Sequence, residues 1–251
     1  MRTEGACEER RMRRLAPPAA LALALALPLA ACTPPATLPD AERARVDAEL
    51  PGQQRYLRVA AYAFPLWGDT TKLLLTDQPA AELDLVETAG GEPIPPPPVV
   101  RIRPPGTPLR IEKLEFPTAW LIAERVLMTP RYHPWAYVRA AGEPRPYVIV
   151  LSQTAASLED VRAELDRLLA ADDPSPALAA LPQEQRDAVL HKQATEGMGP
   201  RALELAWGWP ERKKIDRPAG TEEWTWPGGR RRAFLRDDRV ERLERGEKAG
   251  R

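Results

Sequence analysis

The chain has few of the residues that carry metal, redox or nucleophilic chemistry. Its 251 residues include two cysteines, Cys7 and Cys32, and two histidines, His133 and His191, which are far apart in the sequence. The HExxH, HxxH and clustered-Cys patterns of zinc sites are therefore missing. No serine lies in a GxSxG turn, and no glycine-rich phosphate loop is present. We therefore expect no cofactor, no metal site and no catalytic residue that a motif would reveal, which favours a non-enzymatic protein.

An excess of charge of either sign is also missing. The chain has 36 basic and 36 acidic residues. It therefore has no overall attraction for nucleic acid, and we expect no nucleic-acid partner. Pairs of carboxylates that cleave glycosides cannot be recognised from sequence spacing, so a hydrolase with an acidic site stays open as the alternative.

The N-terminal region has the pattern of an export signal. Residues 10–14 read RRMRR, and residues 15–31 carry no charge before the chain reaches Ala31-Cys32. A basic block, an apolar run and small residues before a cleavage site are typical of a secretory signal peptide. Seventeen residues of helix reach only about 26 Å, less than the ~30 Å of a bilayer core, so a membrane span is not favoured. We predict a signal peptide over residues 1–31, with Met12 as an alternative start.

The cleavage site carries a more specific pattern, Leu29-Ala30-Ala31-Cys32. It resembles the lipobox of bacterial lipoproteins, in which the cysteine thiol takes a diacylglyceryl group and the freed amine is then acylated with a fatty acid such as palmitate. The resemblance implies cleavage between Ala31 and Cys32, lipidation of Cys32, and a membrane partner held through the lipid. Residue 33 is Thr, whereas an Asp at this position would favour retention at the inner membrane. The resemblance therefore implies that the protein is located on the periplasmic face of the outer membrane. A plain signal peptide and a buried thiol are the simpler alternatives.

Composition and punctuation divide the rest of the chain into regions. Proline is frequent, at 29 residues, more than twice the ordinary share of about 5%. It indicates short elements and stiff connectors. We predict an α+β protein in which the β-rich domain is a small barrel or sandwich and the last domain is a helix followed by a β-meander. The predicted regions are a tether (32–54), a β-rich domain (55–152), a helical connector (153–196), a small α+β domain (197–245) and a disordered tail (246–251).

Short segments rich in β-formers, separated by Pro and Gly, predict the strands of the β-rich domain. The apolar alternation in 108–116 changes phase at Lys113, which predicts a β-bulge. Residues 119–128 fit a strand or a short helix equally well. The predicted strands are 55–64, 71–76, 81–88, 99–103, 108–116, 135–139 and 146–152.

Two helices are predicted in the connector. The first begins after Ser157, an N-cap residue followed three positions later by Asp160, and ends at Asp-Asp-Pro. Its apolar face is formed by Leu158, Val161, Leu165 and Leu168. The second is expected after Pro182 and before Gly197.

The C-terminal pattern resembles a known family. We predict a short helix that begins at Pro200 and is capped by Gly208. A hairpin is predicted next, in TEEWTWPGGRRRAFLRD, and a last strand, RVERLE, follows it. This order is similar to the SmpA/OmlA family, the small accessory lipoprotein of the outer-membrane barrel assembly machine. The matching residues are Gly197, Met198, Trp207, Gly208, Pro210, Glu222, Trp224, Phe234 and Val240. The resemblance covers about a fifth of the chain and implies the fold and a role in outer-membrane protein assembly. The large β-rich region upstream departs from that family.

Two groups of C-terminal residues are candidate binding residues. Trp224 and Trp226 share one face of a predicted strand, where they form either the domain core or an exposed aromatic groove for a peptide or glycan. Arg230, Arg231 and Arg232 form either a solvated strand surface or a basic patch that contacts anionic lipid or an acidic partner.

Together these patterns predict a lipid-anchored envelope protein that acts as a non-enzymatic scaffold or accessory binding protein. Its expected partners are the membrane, envelope proteins and peptidoglycan. A cleft lined by two facing carboxylates would favour the hydrolase, and an exposed sheet edge or aromatic patch would favour binding.

Overall fold

Residues 38–246 of the computed structural model fold into a mixed α+β structure with two β-sheets. The predicted signal peptide, Cys32 and residues 247–251 of the predicted tail lie outside the described residues. The strands of the larger sheet are β1 (Gln54–Leu57), β2 (Ala61–Leu66), β3 (Asp69–Thr76), β4 (Arg101–Arg103), β5 (Pro108–Glu115), β6 (Trp135–Ala140), β7 (Tyr147–Val150) and β8 (Leu169–Ala170). Their order across the sheet is β4-β2-β3-β7-β6-β5-β1-β8. Strands β3 and β7 are parallel, and the other neighbouring strands are antiparallel.

The smaller sheet is an antiparallel meander near the C-terminus. Its strands are β9 (Arg212–Asp216), β10 (Thr221–Thr225), β11 (Arg231–Arg236) and β12 (Arg239–Arg245). The order is β12-β11-β10-β9. The described helices are α1 (Asp40–Glu49), α2 (Ala119–Glu124), α3 (Leu158–Leu168), α4 (Ser175–Ala179), α5 (Gln183–Leu190) and α6 (Pro200–Trp207).

Local sequence signals account for several elements. The register of β5 against β6 shifts between Ile111 and Lys113, which confirms the predicted bulge. The ambiguous segment after Phe116 forms helix α2, because the Thr118 hydroxyl accepts a hydrogen bond from the Leu121 amide at 3.2 Å and caps it. The predicted hairpin is present as β10 and β11.

Two strand predictions are wrong in part. The segment 55–64 is split into β1 and β2 by three residues outside the sheet. Residues 81–88 form no strand and make one isolated bridge, between Glu87 and Pro93. Leu83 packs on a face of the larger sheet and Glu82 pairs with Arg231, so this segment lies against the sheet instead of joining it as a strand.

The region predicted as a tether is in part a folded helix. Residues 40–49 form α1, and Val46 on this helix is fully buried together with the flanking Leu38 and Leu50. These three side chains join the main core beneath the larger sheet. The free energy of burying them stabilises the helix, so the folded body begins by residue 38 rather than at residue 55.

The two predicted connector helices are present but do not form a separate connector. α3 has the predicted N-cap, since the Ser157 hydroxyl accepts from the Asp160 amide at 3.1 Å, and its four predicted apolar residues are all buried. α5 ends at Leu190 rather than near Gly197, because Lys192 takes a left-handed backbone with φ of 58°. α3 packs into the core of the larger sheet, whereas Leu178 of α4 and Val189 of α5 pack into the core of the smaller one.

The buried residues form three clusters. One lies on the face of the larger sheet covered by α1 and α3, and a second, built around Phe64, Trp67 and Trp135, lies on another part of that sheet. The third joins α4, α5 and α6 to the smaller sheet. Within residues 38–246, no helix is both long enough and apolar enough to cross a membrane.

Candidate functional site

A pocket of about 410 Å³ lies where the loop after β3 meets the C-terminal elements. It gathers cationic and aromatic side chains around a single carboxylate, that of Glu82. Its lining residues are Tyr62, Pro79, Ala81, Glu82, Lys192, Trp207, Arg230, Arg231, Arg245 and Gly246. We call this site the cationic pocket.

A larger depression of about 860 Å³ lies beside β5 and β6 but is shallow. Its Arg139 forms an ion pair with Glu112, and its buried Glu143 pairs with arginines that include Arg145. Because these charges already satisfy each other, the smaller cationic pocket is the better candidate.

Arg231 is the central residue of the cationic pocket. It belongs to β11 and is only 5% exposed. Its Nε donates to Glu82 Oε2 at 2.9 Å and its Nη1 donates to the Trp207 carbonyl at 3.1 Å. Its Nη2 is buried and has no hydrogen-bond partner among the described residues. A buried guanidinium nitrogen without a partner is costly, so Arg231, which lines the pocket, retains an unsatisfied donor.

Lys192 is the second buried cation. It follows α5, is 4% exposed, and donates from Nζ to the Ala206 carbonyl at 3.0 Å. The ammonium also lies 4.9 Å from the centre of the Tyr62 ring. Burial lowers the pKa of Lys192 from 10.5 to about 7, while nearby Asp77 and Glu82 oppose the shift. The side chain therefore changes charge near neutral pH.

Part of this arrangement caps helix α6. The last carbonyls of a helix have no partner within it and carry partial negative charge, so cations stabilise that end. Here the carbonyls of Ala206, Trp207 and Gly208 accept from Lys192, Arg231 and the Trp226 indole, respectively. Capping explains one hydrogen bond of each cation but leaves Arg231 Nη2 unused.

Aromatic rings form the apolar walls. The Trp207 ring lies 5.4 Å from the Arg231 guanidinium and 5.3 Å from that of Arg245. The side chain of Arg245, at the exposed end of β12, makes no hydrogen bond or ion pair within residues 38–246. Burial raises the pKa of Tyr62 on the opposite wall, so its phenol stays protonated around neutral pH.

The negative charges around the pocket are fewer than the positive ones. Burial raises the pKa of Glu82, and its ion pair with Arg231 works in the opposite direction. Arg230 donates to the Ala81 carbonyl at 2.8 Å and pairs with Asp84 at 2.9 Å. Three arginines and one lysine thus line the pocket with a single carboxylate, and its charge is positive.

The two predicted tryptophans lie in the core. Trp224 and Trp226 are almost completely buried, and Trp226 packs edge-on against Trp207 with ring centres 5.0 Å apart. They share a face of the sheet as the alternation predicts. Both side chains belong to the core of the small domain and form no exposed aromatic groove, so the first of the two predicted roles is the correct one.

The three predicted arginines do not form one patch. Arg231 points into the core side of the sheet and Arg230 reaches across to Asp84, whereas Arg232 pairs with Glu223 and with Glu244 at 3.0 Å. Alternation along β11 places the neighbouring side chains of Arg231 and Arg232 on opposite faces, whereas Arg230 precedes the strand. Arg230 and Arg231 belong to the cationic pocket, and Arg232 does not.

No local pattern in the sequence indicates Lys192, Glu82 or Arg245. Glu82 and Arg231 are 149 positions apart, and their contact depends on how the two sheets pack. The left-handed backbone of Lys192 is also invisible in sequence. The run of three arginines is the one signal that pointed to this region.

The histidines do not join a larger cluster in the described part of the chain. His133 Nδ1 lies 3.0 Å from the Leu151 carbonyl, and burial lowers its pKa. In residues 38–246, no group of three or more His, Cys, Asp or Glu side chains is placed to hold a metal ion.

Comparison with known proteins gives no assignment. No protein-family model, no curated protein and no solved structure matches the chain.

Proposed function

We propose that the chain is an exported, lipid-anchored, non-enzymatic binding protein of the cell envelope, and that its folded part binds an anionic ligand in the cationic pocket. The buried, unpartnered Nη2 of Arg231 carries this proposal, because a carboxylate or phosphate oxygen is the partner that best satisfies it.

The walls of the pocket indicate the shape of the ligand. Trp207 and Tyr62 supply apolar surface next to the cations. A pocket with apolar walls and a few fixed polar groups favours a small molecule with a charged head and an apolar body. A fatty-acid carboxylate and a phosphate monoester with an acyl or aromatic group share this chemistry.

The pocket gives little support to a hydrolase. Glycoside cleavage uses two carboxylates on opposite sides of the bond. The cationic pocket has one, Glu82, and that carboxylate is paired with Arg231.

The anchor rests on the sequence of residues 10–32. Signal-peptide cleavage before Cys32 would leave a cysteine that begins the mature chain and carries acyl groups, and two or more chains anchor a protein stably. Outer-membrane attachment on the periplasmic side, with barrel-assembly proteins or peptidoglycan as partners, is part of the same proposal. Mass spectrometry of the N-terminal peptide should show acylated Cys32, and Cys32→Ser should release the protein from membranes. Retention of an unacylated Cys32→Ser protein would contradict the anchor.

The proposed layout is a β-rich domain packed against a small α+β domain, with the pocket between them. β1 and β2 are separated by five strand spacings in the sheet order, about 24 Å if flat, yet the four Cα steps from Leu57 to Ala61 span at most about 15 Å. The larger sheet must therefore curl, which supports an open barrel rather than a flat layer.

Ligand binding to the pocket can be tested with two simple probes, inorganic sulfate and octanoate. Ligands that bind the folded state raise the midpoint of thermal unfolding. We expect octanoate to raise it more than sulfate does, and Arg245→Gln to reduce the increase. Arg242→Gln is the matched control, because Arg242 lies on the same strand but stacks on Phe234 instead of Trp207. Equal responses from both variants and the wild type would contradict the proposed site.

A further inference from the structure

A second surface carries large apolar side chains in solvent. They lie on helix α2 and the loop that follows it, within residues 119–132. Trp120 is 74% exposed and Leu127 is 68% exposed. The exposed apolar residues of this segment, which we call the apolar ridge, are Trp120, Val126, Leu127, Met128 and Tyr132.

The apolar ridge is held in place from below by a buried arginine. Arg125 donates from Nη1 to the carbonyls of Arg131, at 3.0 Å, and His133, at 2.7 Å, and from Nη2 to Glu115 at 3.3 Å. Its guanidinium also stacks on the Trp135 ring at 3.7 Å. These contacts fix both ends of the loop. The ridge is therefore a preformed protrusion rather than a loose segment.

The ridge also rests on the turn between β2 and β3. Val126 and Met128 lie against Gly68, where a Cβ would come within 3.0 Å of Val126 Cγ1. A side chain at this position would require Val126 or Met128 to shift by a few tenths of an ångström. Val126 and Met128 thus contact the turn with part of their side chains, while Trp120 and Leu127 remain mostly exposed.

We propose that the apolar ridge inserts into the lipid surface to which the protein is anchored, as a second membrane contact. This inference rests on the proposed anchor at Cys32. Five residues separate Cys32 from Leu38, where the folded body begins, so the six Cα steps between them can span at most about 22 Å. The body is consequently held close to the bilayer.

The first turn of α1 lies near the segment that leads into α2. The Arg43 guanidinium, on the first turn of α1, lies 5.8 Å from the Phe116 ring. Phe116 comes two residues before Thr118, the N-cap of α2. Because the first turn of α1 lies near the start of α2, a short connection to the anchor favours an orientation in which the ridge faces lipid.

The chemistry of the ridge fits a lipid interface. Trp and Tyr favour the headgroup level, and Leu and Met the acyl boundary. Arg131 stacks on Tyr132 and donates to its hydroxyl at 2.8 Å, which places a cation at the rim for lipid phosphates. A protein partner at this surface is the outcome that would overturn the proposal.

A labelling experiment can test the ridge in the full chain, because Cys32 is the sole cysteine that follows the predicted leader. A Leu127→Cys variant carries an environment-sensitive fluorophore and is reconstituted in phosphatidylethanolamine–phosphatidylglycerol vesicles with or without brominated acyl chains. Lys214→Cys, exposed on β9, is the matched control. We expect brominated lipid to quench the label at position 127 but not the label at 214. Quenching of both labels by aqueous iodide alone, or cross-linking of position 127 to protein instead of lipid, would overturn the proposal.

A second measurement separates failure of the ridge from failure of the anchor. Mass spectrometry of the same sample reports whether Cys32 is acylated. The Cys32→Ser protein without the predicted leader (residues 32–251), which lacks the acyl groups, is then mixed with preformed vesicles. Loss of Leu127 or Trp120 by substitution with Ala should lower its partition into vesicles roughly tenfold per side chain. Ile215→Ala, an exposed apolar control on β9, should leave partition unchanged. Equal partition of all variants would overturn the ridge proposal even if the anchor is present.

Discussion

Lys192 should make the folded protein more stable as the pH rises from about 7 to about 10.5. Its pKa is about 7 in the folded protein, below the 10.5 of an exposed lysine. Between these two values the unfolded chain binds a proton at this site that the folded chain does not, so the free energy of unfolding increases with pH. Below about pH 7 both states are protonated, and the whole cost of burying the ammonium is present.

The size of the effect follows from the same two pKa values. Each pH unit in the window adds a little more than 1 kcal/mol, and the full window adds on the order of 5 kcal/mol as an upper limit. Asp77, Glu82 and Arg231 are the charged groups that act on Lys192.

Lys192→Met removes the charge and keeps most of the apolar stem. We expect this variant to have a higher free energy of unfolding than the wild type near pH 7. Loss of the hydrogen bond to the Ala206 carbonyl reduces this gain by ~1 kcal/mol, and the gain should disappear toward pH 10. Urea unfolding followed by tryptophan fluorescence at several pH values measures the difference. Lys214→Met, at an exposed position, is the control and should show no such change. Parallel stability curves for wild type and Lys192→Met would refute a buried, pKa-shifted lysine.

Three further substitutions probe the same region. Glu82→Gln should cost about 3–5 kcal/mol in urea unfolding, because it leaves Arg231 buried without its counter-charge; a loss below about 1 kcal/mol would contradict a buried pair. Trp226→Ala should cost about 3–5 kcal/mol, since it empties part of the core and removes a 3.0 Å hydrogen bond to Gly208; a near-neutral result would place Trp226 outside the core. Gly208→Ala should lower the thermal midpoint by more than the effect of a typical surface change, because Gly208 has φ of 89° and a Cβ would meet the Asp77 carboxylate; an unchanged midpoint would contradict this.

The elements that could be predicted are those with a complete local signal. Helix α3 has its N-cap at Ser157 and an unbroken apolar face, and α6 has Pro200 at its start and Gly208 after its end. The β5 bulge appears as a phase change at Lys113. In each case the residues that determine the element lie within it or next to it.

Helix α1 could not be predicted because its stability comes from tertiary contacts. Within the helix only Val46 is buried, and the side chains that help it, Leu38 and Leu50, lie outside its ends. Because prolines and charged residues surround this segment, its sequence predicts a tether. The larger sheet supplies the surface that makes it a helix.

The cationic pocket could be predicted only in part, since it joins residues from distant segments. The Arg230–Arg232 run indicated positive charge, but sequence alone does not show that Arg231 pairs with Glu82 or that Lys192 is buried beside them. The tryptophans could be assigned to one face by alternation, but whether that face was the core or a groove depended on the packing of α6.

The most direct test of the binding proposal is calorimetric titration of octanoate into the full chain at about pH 8, in buffers that differ in ionisation enthalpy. An anion bound beside Lys192 should raise the pKa of that lysine, so binding should be accompanied by proton uptake. We expect saturable binding with net proton uptake in the wild type, weaker binding in Arg245→Gln, and no proton uptake in Lys192→Met. Absence of binding, or binding that is unchanged in both variants, would contradict an anion site in the cationic pocket.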